Sequence, residues 1–372
     1  MGFTDIIKEY NWDDLDAAIN RMTDQDVNRA LSAEKIDFND FLALLSPAAE
    51  KKLELIASRS HELTLQRFGR TIQMFAPVYL SSECTNSCLY CGFNRNNRIT
   101  RRTLSLEEVM AEAKVLHDQG FRHILLVSGE SPKSVTIDYL CEIAENLQKF
   151  FASISIEIYP MDTDSYKALV ASGVDGLTVY QETYNQERYR SVHPAGKKRD
   201  YLWRLETPDR GGLASFRRIN VGALLGLSPW RVESALTGLH AAYLMGKYWK
   251  SHISISFPRL RPAAGGYQPE FPVTDTNFVQ IICALRLWLQ DAGIVLSTRE
   301  SQNLRNNLIP LGVTHMSAGS KTAPGGYLLT DEAEGQFQIS DDRTAKDVAA
   351  TIFSLGYEPV WKDWDAAFLK AD

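Results

Sequence analysis

The sequence has no run approaching the ~18 apolar residues that a membrane span needs. Its opening, "MGFTDIIKEYNWDDLDAAINRM", has neither the apolar h-region of a signal peptide nor the Arg- and Ser-rich character of a transit peptide. Positive charge is not in excess either: 40 Lys and Arg against 46 Asp and Glu leave a formal charge of −6, so the electrostatic footprint of a nucleic-acid binder is absent. These absences predict a cytoplasmic protein with no nucleic acid and no membrane among its partners, acting on small molecules or proteins. Also missing is a G-x-G-x-x-G after the first strand candidate, which argues against an open doubly wound sheet that binds a dinucleotide. Cysteine is scarce, with five in 372 residues. In a reducing compartment, cysteines drawn tightly together suggest metal or redox chemistry before disulfides.

What is present has a clear order along the chain. Residues 1–73 show helical periodicity, as in "DFNDFLALLS" and "AAEKKLELIASRSHELTLQRF", and predict an N-terminal helical extension. From 74 the pattern changes to β-rich runs at 74–80, 123–129, 152–160, 176–182, 218–226, 252–260, 293–300 and 312–319. Helix candidates separate them, among them "SLEEVMAEAKVLHDQG", which opens with a capping box at Ser105 and Glu108. Eight strands alternating with helices predict an α/β fold, a (β/α)8 TIM-type barrel over 74–319. Residues 320–372 then form a C-terminal segment closing the barrel, with a last helix and the aromatic-rich "VWKDWD".

Three of the five cysteines, Cys84, Cys88 and Cys91, fall within the stretch "SSECTNSCLYCGFNRN" with the spacing C-x3-C-x2-C. The barrel reading puts them just past the first strand, on the C-terminal face where barrel enzymes carry their chemistry. A structural zinc site takes four ligands, typically from two separated C-x2-C pairs, and no second pair exists. A [4Fe–4S] cluster held by three thiolates would keep one iron open to bind a small molecule. Zinc completed by a histidine and three unrelated loop cysteines are the alternatives. Cys141 and Cys283 lie in helix-like runs and are expected to be buried as small apolar groups.

This triad, with Tyr90 directly before its last cysteine, resembles the radical S-adenosylmethionine (SAM) superfamily. The resemblance implies that the open iron chelates SAM and reduces its sulfonium to a 5′-deoxyadenosyl radical. It also implies a set of SAM contacts around Tyr90. Ser128, Gly129 and Glu130 resemble the family's Gly-Gly-Glu segment, with Ser128 in place of the first glycine. Glu182 ends the fourth strand where relatives present a carboxylate. Arg204 resembles the arginine that pairs with the SAM carboxylate, and Gly222 belongs to the segment beside the adenine.

The likeness extends over nearly the whole chain in the form of the aromatic amino acid lyases. Within these, "CTNSCLYCGFNRNN", "LLVSGESP", "YQETYN", "LSTRE", "HMSAGS" and "VWKDWD" resemble the tyrosine lyase (2-iminoacetate synthase) family of bacterial thiamine biosynthesis. The resemblance implies scission of L-tyrosine between Cα and Cβ into 4-cresol and 2-iminoacetate, which thiazole synthase consumes. It further implies an external one-electron donor such as flavodoxin or ferredoxin. Arg299 resembles the arginine that holds the substrate carboxylate, and Ser317 and Ser320 lie where the substrate region is expected. Two relatives need separating: a maturase with a cysteine-rich C-terminal extension, whereas no cysteine follows Cys283 here, and a tryptophan lyase that differs in its ring pocket. A non-catalytic Fe–S electron carrier or scaffold is the alternative of a different class.

Overall fold

The computed structural model describes residues 2–328 and 334–365, so 329–333 and 366–372 of the expected C-terminal segment lie outside the described residues. Eight parallel strands form a closed barrel: β1 (Thr71–Ser81), β2 (His123–Ser128), β3 (Ser153–Glu157), β4 (Gly176–Glu182), β5 (Arg218–Ala223), β6 (His252–Ser256), β7 (Gly293–Leu296) and β8 (His315–Ser317). Each pairs with the next, and β1 pairs with both β2 and β8, which closes the ring. Helices connect the strands on the outside, as the eightfold alternation predicts.

The alternation inside single strands explains why the lumen stays open. In "SISIE" of β3 and "HISIS" of β6, Ile154, Ile156, Ile253 and Ile255 join the apolar core beneath the helices. The alternate positions, Ser155, Glu157, Ser254 and Ser256, line cavities within the barrel. Successive strand residues point to opposite faces, so small serines here replace the bulky branched residues that usually fill a barrel's centre.

Local signals set the element ends. Ser105 caps the helix Leu106–Asp118, with Glu108 completing the capping box. The N-terminal helices end with Leu53–Phe68, stopped at Gly69, whose φ of 64° lies in the left-handed region. Phe41, from the helix Phe38–Leu45, stacks on Trp288 at 4.5 Å, docking this segment on the helix Asp275–Trp288. Cys283 is buried on that helix, and Cys141 lies partly buried on Ile137–Leu147.

The strands differ from the sequence reading at their ends and in number: β3, β5, β6 and β7 stop at Glu157, Ala223, Ser256 and Leu296, short of the expected 160, 226, 260 and 300, and β8 spans only His315–Ser317. β1 begins at Thr71, before the expected 74, because Thr71–Gln73 pair with a ninth strand, β9 (Glu358–Val360). β9 follows the helix Ala345–Ser354. Its three residues include a proline, so no alternation announces it. Trp361 beyond it packs edge-on against Phe121.

Candidate functional site

The cysteine loop leaves β1 at Ser81 and is tied down by backbone hydrogen bonds to distant segments. Thr85 N donates to Glu130 O at 3.0 Å, Ser87 N to Ala195 O at 3.2 Å, and Leu89 N to Val192 O at 3.1 Å. Gly129 lets the loop come close, since a Cβ there would meet Glu83 O at 2.3 Å and Cys84 Cβ at 3.2 Å. Among the described residues no three His, Cys, Asp or Glu side chains are arranged to hold a single ion. Three thiols in one loop are a donor set that fits a [4Fe–4S] cluster with one iron left open. Burial pushes all three thiols up. The backbone N–H groups of Asn86 and Glu130 at Cys84, that of Phe93 at Cys91, and the Lys198 ammonium oppose it by favouring the thiolate form a cluster requires. Gln336 Nε2 also donates to Cys91 Sγ at 3.7 Å.

Beside the loop, four charged side chains lock together. Arg204, on the helix Tyr201–Leu205, donates from Nη1 to Glu130 at 2.9 Å, from Nη2 to Glu182 at 3.5 Å and from Nε to Tyr180 O at 2.7 Å. Lys198 Nζ donates to Glu182 at 2.6 Å, and Asn86 Nδ2 to the other Glu130 oxygen at 2.7 Å. Burial alone would raise the Glu182 carboxyl, but Lys198 and Arg204 outweigh it and hold it below its ordinary range. Glu182 has a φ of 72°, a left-handed conformation that costs a non-glycine residue about 1–2 kcal/mol. The turn after it is pinned from below: Glu233 accepts from the Thr183 hydroxyl and from Tyr184 N, the latter at 3.0 Å. The structure thus brings together Glu130, Glu182 and Arg204, each expected to contact SAM, by pairing them with one another, and adds Lys198. The Arg204 fork is itself engaged by two carboxylates.

The remaining expected SAM residues surround this group. Tyr90 donates to or accepts from His193 Nε2 at 2.7 Å, with Lys198 Nζ over its ring at 5.8 Å. Ser128 Oγ is buried without a partner, a polar atom left for a ligand. Gly222 sits where β4 and β6 crowd β5, since a Cβ would meet Ser256 O at 2.1 Å and the Tyr180 ring at 2.9 Å.

Arg299, Ser317 and Ser320 line one cavity at the barrel mouth with Tyr79, Glu157 and Phe337. The neighbouring Glu300, an obvious partner for Arg299 by sequence, is instead held by Arg259 and by Arg261, the latter at 3.0 Å. Among the described residues the Arg299 guanidinium makes no ion pair, and it lies over the Phe337 ring at 3.3 Å. Burial lowers its pKa, which nearby tyrosines and Glu157 only partly offset. Ser320 Oγ is a second buried atom without a partner.

Sequence reasoning missed Glu157, Tyr79, Lys198, Gln336 and Phe337. A charged residue at the end of "SISIE" was a usable signal, because inward residues at C-terminal strand ends are where barrels act. Gln336 and Phe337 carried none. They reach the site because Ser340 N and Asp341 N donate to Thr298 O at 2.9 and 3.1 Å, while buried Asp341 pairs with Arg305 and Arg343.

A family model described as the radical SAM superfamily matches residues 78–224, and one described as the Biotin and Thiamin Synthesis associated domain matches 256–358. The 2-iminoacetate synthase of Escherichia coli (strain K12) is 45% identical over 365 residues, covering 98% of this chain and 97% of that protein. The FeFe-hydrogenase maturase HydG from Carboxydothermus hydrogenoformans superposes with a TM-score of 0.85 at 32% identity, over 99% of this chain and 84% of that one. Methylornithine synthase (PylB), at 20% identity and a TM-score of 0.72, shares the fold. With a closed parallel barrel, a three-cysteine loop at its mouth and this identity over nearly its whole length, the chain belongs to the 2-iminoacetate synthase family of radical SAM enzymes.

Proposed function

We propose that the protein is a radical SAM lyase that cleaves L-tyrosine between Cα and Cβ, giving 2-iminoacetate and 4-cresol, with SAM consumed to 5′-deoxyadenosine and methionine. Cys84, Cys88 and Cys91 would hold a [4Fe–4S] cluster. With SAM bound, that cluster would supply one-electron reduction and, through it, a hydrogen-abstracting 5′-deoxyadenosyl radical. The chain's own residues bind, orient and exclude water. Glu130, Glu182, Arg204 and Lys198, with Ser128 Oγ, form a polar cradle of both charges suited to the amino-acid end of SAM, while Tyr90 flanks the loop and Gly222 lets β5 pack closely against β4 and β6.

The observation that carries the substrate reading is the unpaired Arg299 in the cavity next to this cradle. A guanidinium fork takes a carboxylate with two charge-assisted hydrogen bonds, and Glu300, which could have neutralised it, is sequestered elsewhere. Aromatic walls from Tyr79, Tyr180 and Phe337 suit an aromatic side chain and keep water from a carbon radical. Ser317 and Ser320 line the same space. The 2-iminoacetate product would pass to thiazole synthase, by complex or by release, and an external one-electron donor would supply the cluster.

The test is an anaerobic reaction of iron-reconstituted protein with SAM, dithionite and either tyrosine or tryptophan, followed by mass spectrometry. The expected products from tyrosine are 4-cresol, 5′-deoxyadenosine and glyoxylate from hydrolysed 2-iminoacetate. SAM cleavage without 4-cresol would refute tyrosine as substrate, and products from tryptophan would replace it.

A further inference from the structure

We infer that Glu157 is the residue that receives the ammonium group of the amino acid substrate and takes a proton from it before hydrogen-atom abstraction. The inference rests on the lyase reading above and assigns a role to a residue of the same pocket.

Glu157 ends β3, level with Val127 of β2, which in turn pairs with Tyr79 of β1. Its side chain lines the cavity that holds Arg299. Among the described residues the Glu157 carboxylate makes no hydrogen bond and no ion pair. Every other carboxylate around the site is engaged: Glu130 and Glu182 by Arg204, Glu300 by Arg259 and Arg261. The pocket therefore presents one unpaired cation and one unpaired anion, too far apart to pair with each other. A zwitterionic amino acid carries the complementary pair on adjacent atoms of one carbon. With its carboxylate on the Arg299 fork, its ammonium is available to Glu157.

The groups that face Glu157 are Tyr79 from β1, Tyr180 and Glu182 from β4, Lys198 and Arg204 beyond β4, and Arg299 after β7. β2 contributes only apolar Leu125 and Val127. Burial first, then repulsion from Glu182, raises the Glu157 carboxyl to about 7 against the pull of the three cations. A carboxylate of that basicity is suited to accept a proton near neutral pH. The step is simple in its balance: one N–H proton moves to the Glu157 carboxylate, which becomes neutral, and its bonding pair stays on nitrogen. Loss of a hydrogen atom from the neutral amine then leaves a neutral nitrogen radical, which forms the C=N bond as Cα–Cβ breaks; Cβ leaves as a 4-hydroxybenzyl radical, which takes one electron from the external donor and one proton to become 4-cresol.

The experiment uses the reconstituted enzyme with SAM. Glu157→Gln should lower kcat/KM for 4-cresol formation by about 100-fold or more, within the range typical of a lost general base. The wild-type profile should fall below a pH of about 7, and that limb should vanish in the glutamine variant and return in Glu157→Asp. Calorimetry supplies a readout free of turnover: the wild type should prefer tyrosine over 3-(4-hydroxyphenyl)propanoate, which lacks the amine, and the glutamine variant should lose that preference. Retention of full 4-cresol formation by Glu157→Gln would overturn the proposal. So would loss of discrimination between tyrosine and phenylalanine with the amine preference intact, which would assign Glu157 to the phenol. If the wild type makes no 4-cresol, the lyase reading fails, and the binding comparison still decides Glu157 on its own.

Discussion

Arg299 and its sequence neighbour Glu300 show how much depends on which charges the fold leaves alone. Glu300 is nearly inaccessible and held by two arginines, while Arg299 is stacked on Phe337 with its guanidinium nitrogens unpaired among the described residues. A lysine in place of Arg299 would keep the charge and lose the planar fork. Arg299→Lys should therefore lower kcat/KM for tyrosine by about 10- to 100-fold, the loss of ~1.4–2.7 kcal/mol of carboxylate recognition. SAM cleavage in the absence of tyrosine should change little. Equal damage to both would move Arg299 to a SAM-binding or structural role. The sequence located Arg299 because "STRE" ends a strand at the catalytic face of a barrel. It did not show that the arginine was free, since its neutraliser is diverted by Arg259 and Arg261, about 40 positions earlier in the chain.

At the scale of elements, the segment from 334 to 344 lines the barrel mouth through Phe337. It brings Gln336 to Cys91 and to the Tyr79 hydroxyl, which donates to Gln336 Oε1 at 2.9 Å. It also brings Phe337 to Arg299. The segment is fastened by Asp341, fully buried between Arg305 and Arg343, with Arg305 itself fully buried. Breaking a buried pair by removing one partner leaves an uncompensated charge. Asp341→Ala should destabilise the protein by about 3–5 kcal/mol, read as a lowered denaturant midpoint. A change below about 0.5 kcal/mol, the scale of surface substitutions, would show that Arg305 finds other partners. Helices were far more legible than this segment. Caps such as Ser105 and periodic apolar faces are written in consecutive residues, whereas an irregular strap is placed by contacts with residues remote in sequence.

At the scale of the whole molecule, the barrel gathers one cysteine triad and no second one. Cys141 and Cys283 lie on separate helices. The enzyme should thus depend on an outside one-electron donor, with no 5′-deoxyadenosine formed from SAM until a reductant is added. Turnover with SAM alone would reveal an internal electron source. Among the described residues no helix is long and apolar enough to cross a membrane, in line with the sequence. The sequence by itself determined what is local or periodic: eight strand and helix alternations, and with them the barrel, the helix caps, and the C-x3-C-x2-C loop at the end of β1. Only the tertiary structure decided which charges pair, because pairing depends on barrel closure and strand register, which set residues dozens to hundreds of positions apart at the same height. That is why Glu130, Glu182 and Arg204 are joined with Lys198, why Arg299 and Glu157 stay unpaired across the lumen, and why Gln336 meets a cysteine 245 positions away.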